Sequence, residues 1–293
     1  MKALTLTVIA KMTSNYSESL GNIGSVQKVF QKGKVYSMRS RESLKNAIMV
    51  QSGMYDDLQT SVDGAAQKYV SEEVNATNNR ALEGGYMNTQ GKSTYVRNSS
   101  FYLTDAIACN SFVNETRFHN NLYLASNYAE SKNINLQEKA KESGLMPYQY
   151  EYDKSEKIYS LTIDLDMIGK DENFDVPEAS KEEKAERVNC ILNAVQNLFL
   201  IVRGNLDNAE PIFVVGGLSD RKTHYFENVV SVKGNRFHIT TDLKNKLAEG
   251  FSCGLLQGDN FSNEEEMVKE LKPVAVSEFF NNLREEVKKY YEV

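Results

Sequence analysis

Apolar residues alternate with polar ones, or recur at helical spacing, toward both ends of this chain, and do neither for long in its middle. Near the start, Leu4, Leu6, Val8 and Ala10 alternate with Ala3, Thr5, Thr7 and Ile9, the pattern of a strand covered on both faces. A Ser-, Asn- and Gly-rich loop is expected over 13–33. An extended run from Lys34 follows, and Ser40 then caps a helix whose apolar stripe is Leu44, Ala47 and Ile48. From Gly53 to about Pro147 periodicity weakens, with short candidates such as 101–108, so this stretch reads as one large insertion. Order returns at 148–152 and in a strand over 157–168. There Tyr159, Leu161, Ile163, Leu165 and Met167 face one way, and Ser160, Thr162, Asp164 and Asp166 the other.

Ser180 and Glu183 form a capping box. The helix it opens buries Val188, Ile191, Leu192, Val195, Leu198, Phe199 and Val202, and Gly204 stops it. A buried strand over 211–218 comes next, then a hairpin of 225–232 with 236–241 across Lys233-Gly234-Asn235. Ser262 with Glu265 opens one more helix, ending before Pro273, and a last helix over 277–291 buries Phe280, Leu283 and Val287. The order β, α, long excursion, β-β, α, β predicts an α+β fold of the ferredoxin-like (RRM-like) split βαβ type. Its palm spans 1–52 and 148–293, interrupted by an insertion over 53–147.

Composition narrows the classes. The chain has 293 residues, enough for a sizeable core, and 41% hydrophobic with 25% charged residues excludes wholesale disorder. A net charge of −6 excludes a uniformly basic coat but leaves room for a local basic groove. The first 53 residues carry Lys2, Lys11, Lys28, Lys32, Lys34, Arg39, Arg41 and Lys45 against only Glu18 and Glu42, which points to an anionic partner. Cys109, Cys190 and Cys253 are odd in number and far apart, which fits a reduced, cytoplasmic setting. No apolar run approaches a membrane span, and the start reads as a strand, not a signal peptide.

The candidate chemistry is cationic. Arg39 and Arg41 flank the helix start and Lys45 lies one turn on, beside free amides that suit phosphate oxygens. Against this stands the plainer reading of a solvated helix start, with Glu42 balancing the dipole. Lys28, Arg97, Arg203 and Arg221-Lys222 join the same set, with Tyr16, Tyr36, Tyr86, Tyr95 and Phe226 available to stack on bases. The stretch GGYMNTQGKST over 84–94 mimics a phosphate-gripping loop, but five residues separate Gly85 from Gly91 where four are required. Asp164 and Asp166 share a strand face as a metal-dependent nuclease pair would, yet no third ligand sits at a supporting spacing, and the polar-face reading is preferred. His119, His224 and His238 show no zinc spacing, so neither metal nor other cofactor is expected.

The start of the chain, through YSMRSRESLKNAI, resembles the CRISPR-associated Cas-seven proteins of the DevR group, the backbone subunits of type I, particularly I-B, Cascade complexes. Ser40, Lys45, Ala47 and Ile48 match that family's helix-start motif. GGYM at 84–87, TDAIA at 104–108, IDLDMIG at 163–169 and RVNCILNAVQNLF then resemble its landmarks in order. The family more often carries arginine where Lys45 stands. The resemblance implies a hand-shaped molecule with a ferredoxin-like palm, a finger insertion and a hairpin thumb, placed at about 204–226 or else at 88–99. It also implies copies polymerising along a CRISPR RNA, pairing of the guide with target DNA, Cas-five, Cas-eight and Cas-six type neighbours, and no catalysis of its own. On this reading Arg39, Arg41 and Lys45 clamp phosphates, with Ser40, Lys28, Arg97, Arg203, Arg221 and Lys222 also on the RNA. Two rivals accompany it: a metal-dependent target-RNA endoribonuclease using Asp164 and Asp166, as in type III backbones, and an autoregulator of its own operon.

Overall fold

Strand β1 (Ala3–Thr13) is paired along both edges, and every residue in it but Lys11 is buried, as its two-sided pattern demands. The computed structural model describes residues 2–17 and 23–293, so the part of the expected loop at 18–22 lies outside the described residues. Around β1 lie β2 (Lys28–Gln31), β3 (Lys34–Arg39), β4 (Phe101–Leu103), β5 (Ala106–Ala108), β6 (Lys154–Asp164), β7 (Pro211–Ser219), β8 (Ser252–Leu255) and β9 (Val274–Ala275). This nine-stranded sheet runs in the order β9-β8-β7-β1-β6-β5-β3-β2, with β4 pairing to β6 as well. The six α-helices among the described residues are α1 (Arg41–Gln51), α2 (Leu122–Ser131), α3 (Lys181–Gln196), α4 (Thr241–Ala248), α5 (Glu264–Leu271) and α6 (Val276–Tyr291).

The two faces of the sheet differ because alternate residues of the central strands differ. Leu4, Leu6 and Val8 of β1 and Tyr159, Leu161 and Ile163 of β6 meet α1, α3 and α6 in one core. On the opposite face Ile9, Phe213 and Val215 pack under α4, α5 and the segment 225–237. Beside that apolar patch the sheet carries a buried polar row of Thr5, Thr7, Ser160, Thr162 and Asp164, where Thr7 and Ser160 share a hydroxyl hydrogen bond of 2.7 Å and residues 223–225 bond onto Thr5 and Thr162 from above. The polar row read from alternation is therefore a roofed polar strip.

Several expectations are corrected. The helix opened by Ser180, whose side chain accepts from the Glu183 amide, ends at Gln196 and not at Gly204. Leu198 and Leu200 are buried while Phe199 and Ile201 are exposed, a period of two, and Phe199–Val202 forms a hairpin with Asn205–Asn208. Arg203 and Gly204 make its turn with φ of 47° and 79°, the left-handed pair that tight hairpins favour. The segment 204–226 is no projecting loop, because it contains β7, hydrogen-bonded between β1 and β8 at the sheet centre. The strand expected over 157–168 runs Lys154–Asp164 and breaks where the Met167 amide turns back onto the Asp164 carbonyl. The hairpin over 225–241 shrinks to Val232–Lys233 with Arg236–Phe237, followed by α4, which Thr240 caps. Asn263, not Ser262, stands at the head of α5, and the Glu264 carboxylate accepts amides of Gly258, Asn260 and Phe261.

The excursion expected as a single insertion over 53–147 is divided. Strands β4 and β5 return to the main sheet in its middle, leaving one excursion over 52–100 and another over 109–153. The first holds two hairpins, Thr60–Asp63 with Ala65–Lys68 and Tyr86–Gln90 with Ser93–Arg97. It is tied down by the fully buried Glu83, whose carboxylate binds Arg97 at 3.0 Å, Arg187 of α3 at 2.8 Å and the Gly169 amide at 2.7 Å. The second pairs Thr116–His119 with Tyr148–Glu151, and exposes Phe118, Tyr123 and Leu124.

Candidate nucleic-acid interface

Arg41 opens α1 at the meeting of two depressions, the second of which runs on into a third. The largest, about 660 Å³, lies between the Lys32-Gly33 and Lys233-Gly234 turns, with Tyr36, Thr104, Asp105 and His224 among its walls. A second, about 270 Å³, shares Arg41 and Leu103 with it and adds Lys45 and Tyr102. A third, about 350 Å³, shares Tyr102 and reaches Lys222 and Lys170. Linked through Arg41, Leu103 and Tyr102, they make one furrow along the border of the C-terminal cover, with Lys32, Arg41, Lys45, Lys170, Lys222 and Lys233 along it and the carboxylates Glu42, Asp105, Asp164, Asp166, Glu172 and Glu227 between them.

The helix start itself is less available than its sequence suggests. Ser40 accepts the Ser43 amide at 3.3 Å, and Asp105 accepts the Arg41 amide at 2.8 Å, so these first-turn donors are already engaged. The Arg41 side chain is exposed and bonded to its neighbour Glu42 at 2.8 Å. Lys45 is half-buried over the Phe101 ring, with Nζ donating to the Gly84 carbonyl and the Ser99 hydroxyl, each at 2.8 Å. Burial pushes its ammonium down to about 8. Lys68 sits beside it under the same pressure, held by the carbonyls of Ala81 and Gly85. Gly85 has φ of +82°, and a Cβ there would stand 2.8 Å from the Ser99 amide, so only glycine lets this backbone approach.

Not every expected contact faces the furrow. Arg39 is 4% exposed: Nε and Nη2 hold the Thr13 carbonyl and Nη1 holds Ser43, and burial pushes its guanidinium down to about 10. Arg97 is 5% exposed and spends its donors on Glu83, Ser100 and four carbonyls. Neither side chain reaches a phosphate; both are internal struts. Lys28 binds Glu151 at 2.5 Å, and Arg203 stacks over Tyr16, together at the root of the second excursion. Arg221 lies over Tyr225, while Lys222 pairs with Asp164 and stands above Tyr102. Of the expected stacking aromatics, Phe226 is core, Tyr86 is bonded to Asp171, Tyr95 packs on Phe174, and Tyr36 alone lines the furrow.

Asp164 and Asp166 diverge in their commitments. Asp166 accepts the Tyr290 hydroxyl at 2.7 Å and the Lys2 amide at 3.3 Å, whereas the Lys222 ammonium occupies Asp164. Among the described residues no three His, Cys, Asp or Glu side chains gather as metal ligands. No helix among them is long and apolar enough to cross a membrane.

Residues 51–234 match the family model described as CRISPR-associated negative auto-regulator DevR/Csa2. The chain belongs to the DevR family. Among solved structures, this DevR-family chain is similar to a chain of a "CRISPR RNA-guided surveillance complex, pre-nicking", at 11% identity and a TM-score of 0.59, covering 97% of this chain and 99% of the other. It is also similar to a chain of a "CRISPR RNA-guided surveillance complex", at 14% identity and a TM-score of 0.52, covering 87% and 88%. These likenesses concern the fold. No curated protein matches the chain. Sequence reasoning about this DevR-family chain passed over Tyr102, Asp105, Lys233 and Glu227. The signals were there: Asp105 lies inside the TDAIA motif, and Lys32-Gly33 and Lys233-Gly234 are paired lysine turns.

Proposed function

We propose that this chain is a guide-RNA-binding backbone subunit of a type I, I-B-like, Cascade surveillance complex, non-catalytic, that assembles in copies along a CRISPR RNA and leaves its bases free to pair with target DNA. The observation that carries this reading is the likeness, over nearly the whole chain, to a subunit of an RNA-guided surveillance complex. The furrow supports it: it sets cations and the rings of Tyr36 and Tyr102 in one line beside its carboxylates, and such cations suit a backbone grip without sequence readout. A ferredoxin-like palm is supported by the spatial order β7-β1-β6-β5 with α1 and α3 on one face. On this reading the excursion over 52–100 is the finger, and the one over 109–153 takes the thumb's place.

The test is purification of the chain with its RNA and titration with single-stranded RNA at several salt concentrations. Bound RNA of one length class, and an affinity that falls steeply with salt, are expected. Protein free of RNA, with no salt-dependent affinity for it, overturns the reading. Cleavage of complementary RNA with magnesium or manganese would favour the endoribonuclease. Protection of the promoter of its own operon without guide RNA would favour the repressor named in the family description.

A further inference from the structure

Resting on that reading, we propose that the large depression beside Arg41 recognises the ribose 2′-hydroxyl, so that the chain tells RNA from DNA by hydrogen-bond acceptors set behind a cationic rim. The rim is Lys32, Arg41 and Lys233. The Lys233 turn is fixed in place: the Asn110 side chain bonds both the amide and the carbonyl of Gly234, each at 3.0 Å. Behind the rim the chemistry reverses. Asp105 spends one carboxylate oxygen on the Arg41 amide, and Glu227 is exposed. His224 has Nδ1 2.9 Å from the Thr162 hydroxyl, which leaves its second ring nitrogen for the depression it lines. Burial lowers the basicity of this imidazole, so at neutral pH it stays uncharged and adds no attraction for phosphate.

A phosphate brings only acceptors and negative charge, and these two carboxylates repel it. What settles behind the rim must bring a donor. A strand gripped by its backbone, with bases turned out to pair, offers one donor per residue on its inner edge, the 2′-hydroxyl. DNA has phosphates for the rim and nothing for the acceptors. The other donors on a single strand are the exocyclic amines and ring imino N–H groups of the bases, which RNA and DNA share.

Fluorescence polarisation of the intact chain decides the matter with one sequence made as RNA, as DNA and as 2′-O-methyl RNA, beside homopolymers of adenosine and uridine. RNA is expected to bind about ten-fold more tightly than DNA, the scale of one or two net hydrogen bonds. The 2′-O-methyl strand, which keeps the oxygen and loses the donor, is expected to bind like DNA. Glu227→Ala together with His224→Ala is expected to bring the RNA:DNA ratio below about three-fold while DNA affinity holds or rises, since a repelling charge is gone. Asp105→Asn is the second variant, and thermal melting of each confirms that it folds. Equal affinity of the wild type for RNA and DNA overturns the proposal. So does an RNA preference that survives 2′-O-methylation but differs between the homopolymers, which assigns the donor to the base. Absence of salt-dependent binding to every strand overturns the underlying reading instead.

Discussion

Arg39 and Arg41, two residues apart, have opposite fates, because the last residue of an inward-facing strand and the first of a helix point to different sides. Arg39→Ala is expected to lower folding stability by about 2–4 kcal/mol in urea denaturation, since it strands the buried Thr13 carbonyl and leaves a void. Stability within about 0.5 kcal/mol of wild type contradicts the strut. Arg41→Ala is expected to leave stability unchanged while lowering RNA affinity for every sequence and flattening the salt slope by about one unit or less. A slope identical to wild type removes Arg41 from the grip. Lys45 has a pH signature. Its folded value is held near 8 against an ordinary 10.5, so below pH 8 both folded and unfolded chains are protonated and burial of the charge is a full penalty. Between about pH 8 and 10 the unfolded chain holds more protons, and stability rises with pH. Lys45→Met is expected to lose that rise, on the order of 1–2 kcal/mol after solvent screening. Parallel stability curves for the two proteins across that range contradict it.

Elements whose pattern was strong and whose neighbours are close in sequence were legible. Strand β1, the capping of α3 by Ser180 and the faces of β6 and α6 all follow from spacing alone. Legibility failed where a few residues serve a distant partner. Strands β4 and β5 are three residues each, too short for periodicity, and exist because β6 offers them an edge. The run after Gln196 looked helical because Leu198 and Val202 fit that spacing, but Leu198 and Leu200 alternate with exposed neighbours. The furrow was half visible: Arg41, Lys45 and Lys222 were named, yet no rule of sequence says that the arginine ending a strand is buried while the one opening the next helix stays exposed. The Glu83 cluster was invisible, since it joins the first excursion, α3 and the turn after β6. Glu83→Gln is expected to cost about 3 kcal/mol or more, because it removes the buried charge that Arg97 and Arg187 share and leaves Arg187 only its Glu183 pair. A melting temperature equal to wild type contradicts that.

For the whole molecule the net charge is −6, and the furrow sets cations and carboxylates side by side, so a bound strand meets a patterned local field rather than a uniformly positive one. The second excursion carries Phe118, Tyr123 and Leu124 to the surface, more apolar area than a lone chain gains from exposing. Tyr123→Glu with Leu124→Glu is expected to reduce RNA-templated association of copies, seen by light scattering, with the single-chain melting temperature unchanged. Undiminished association places the copy-to-copy contact elsewhere.

The first excursion leaves the end of α1 and rejoins at β4, and the second leaves β5 and rejoins at β6, so their roots are set by the packed palm and their reach is not. Closing a longer loop is cheap, roughly 0.6 kcal/mol for each doubling. Descendants of such a chain are therefore free to gain or shed mass in either outgrowth while the furrow keeps its width, and relatives of very different size remain able to share one groove.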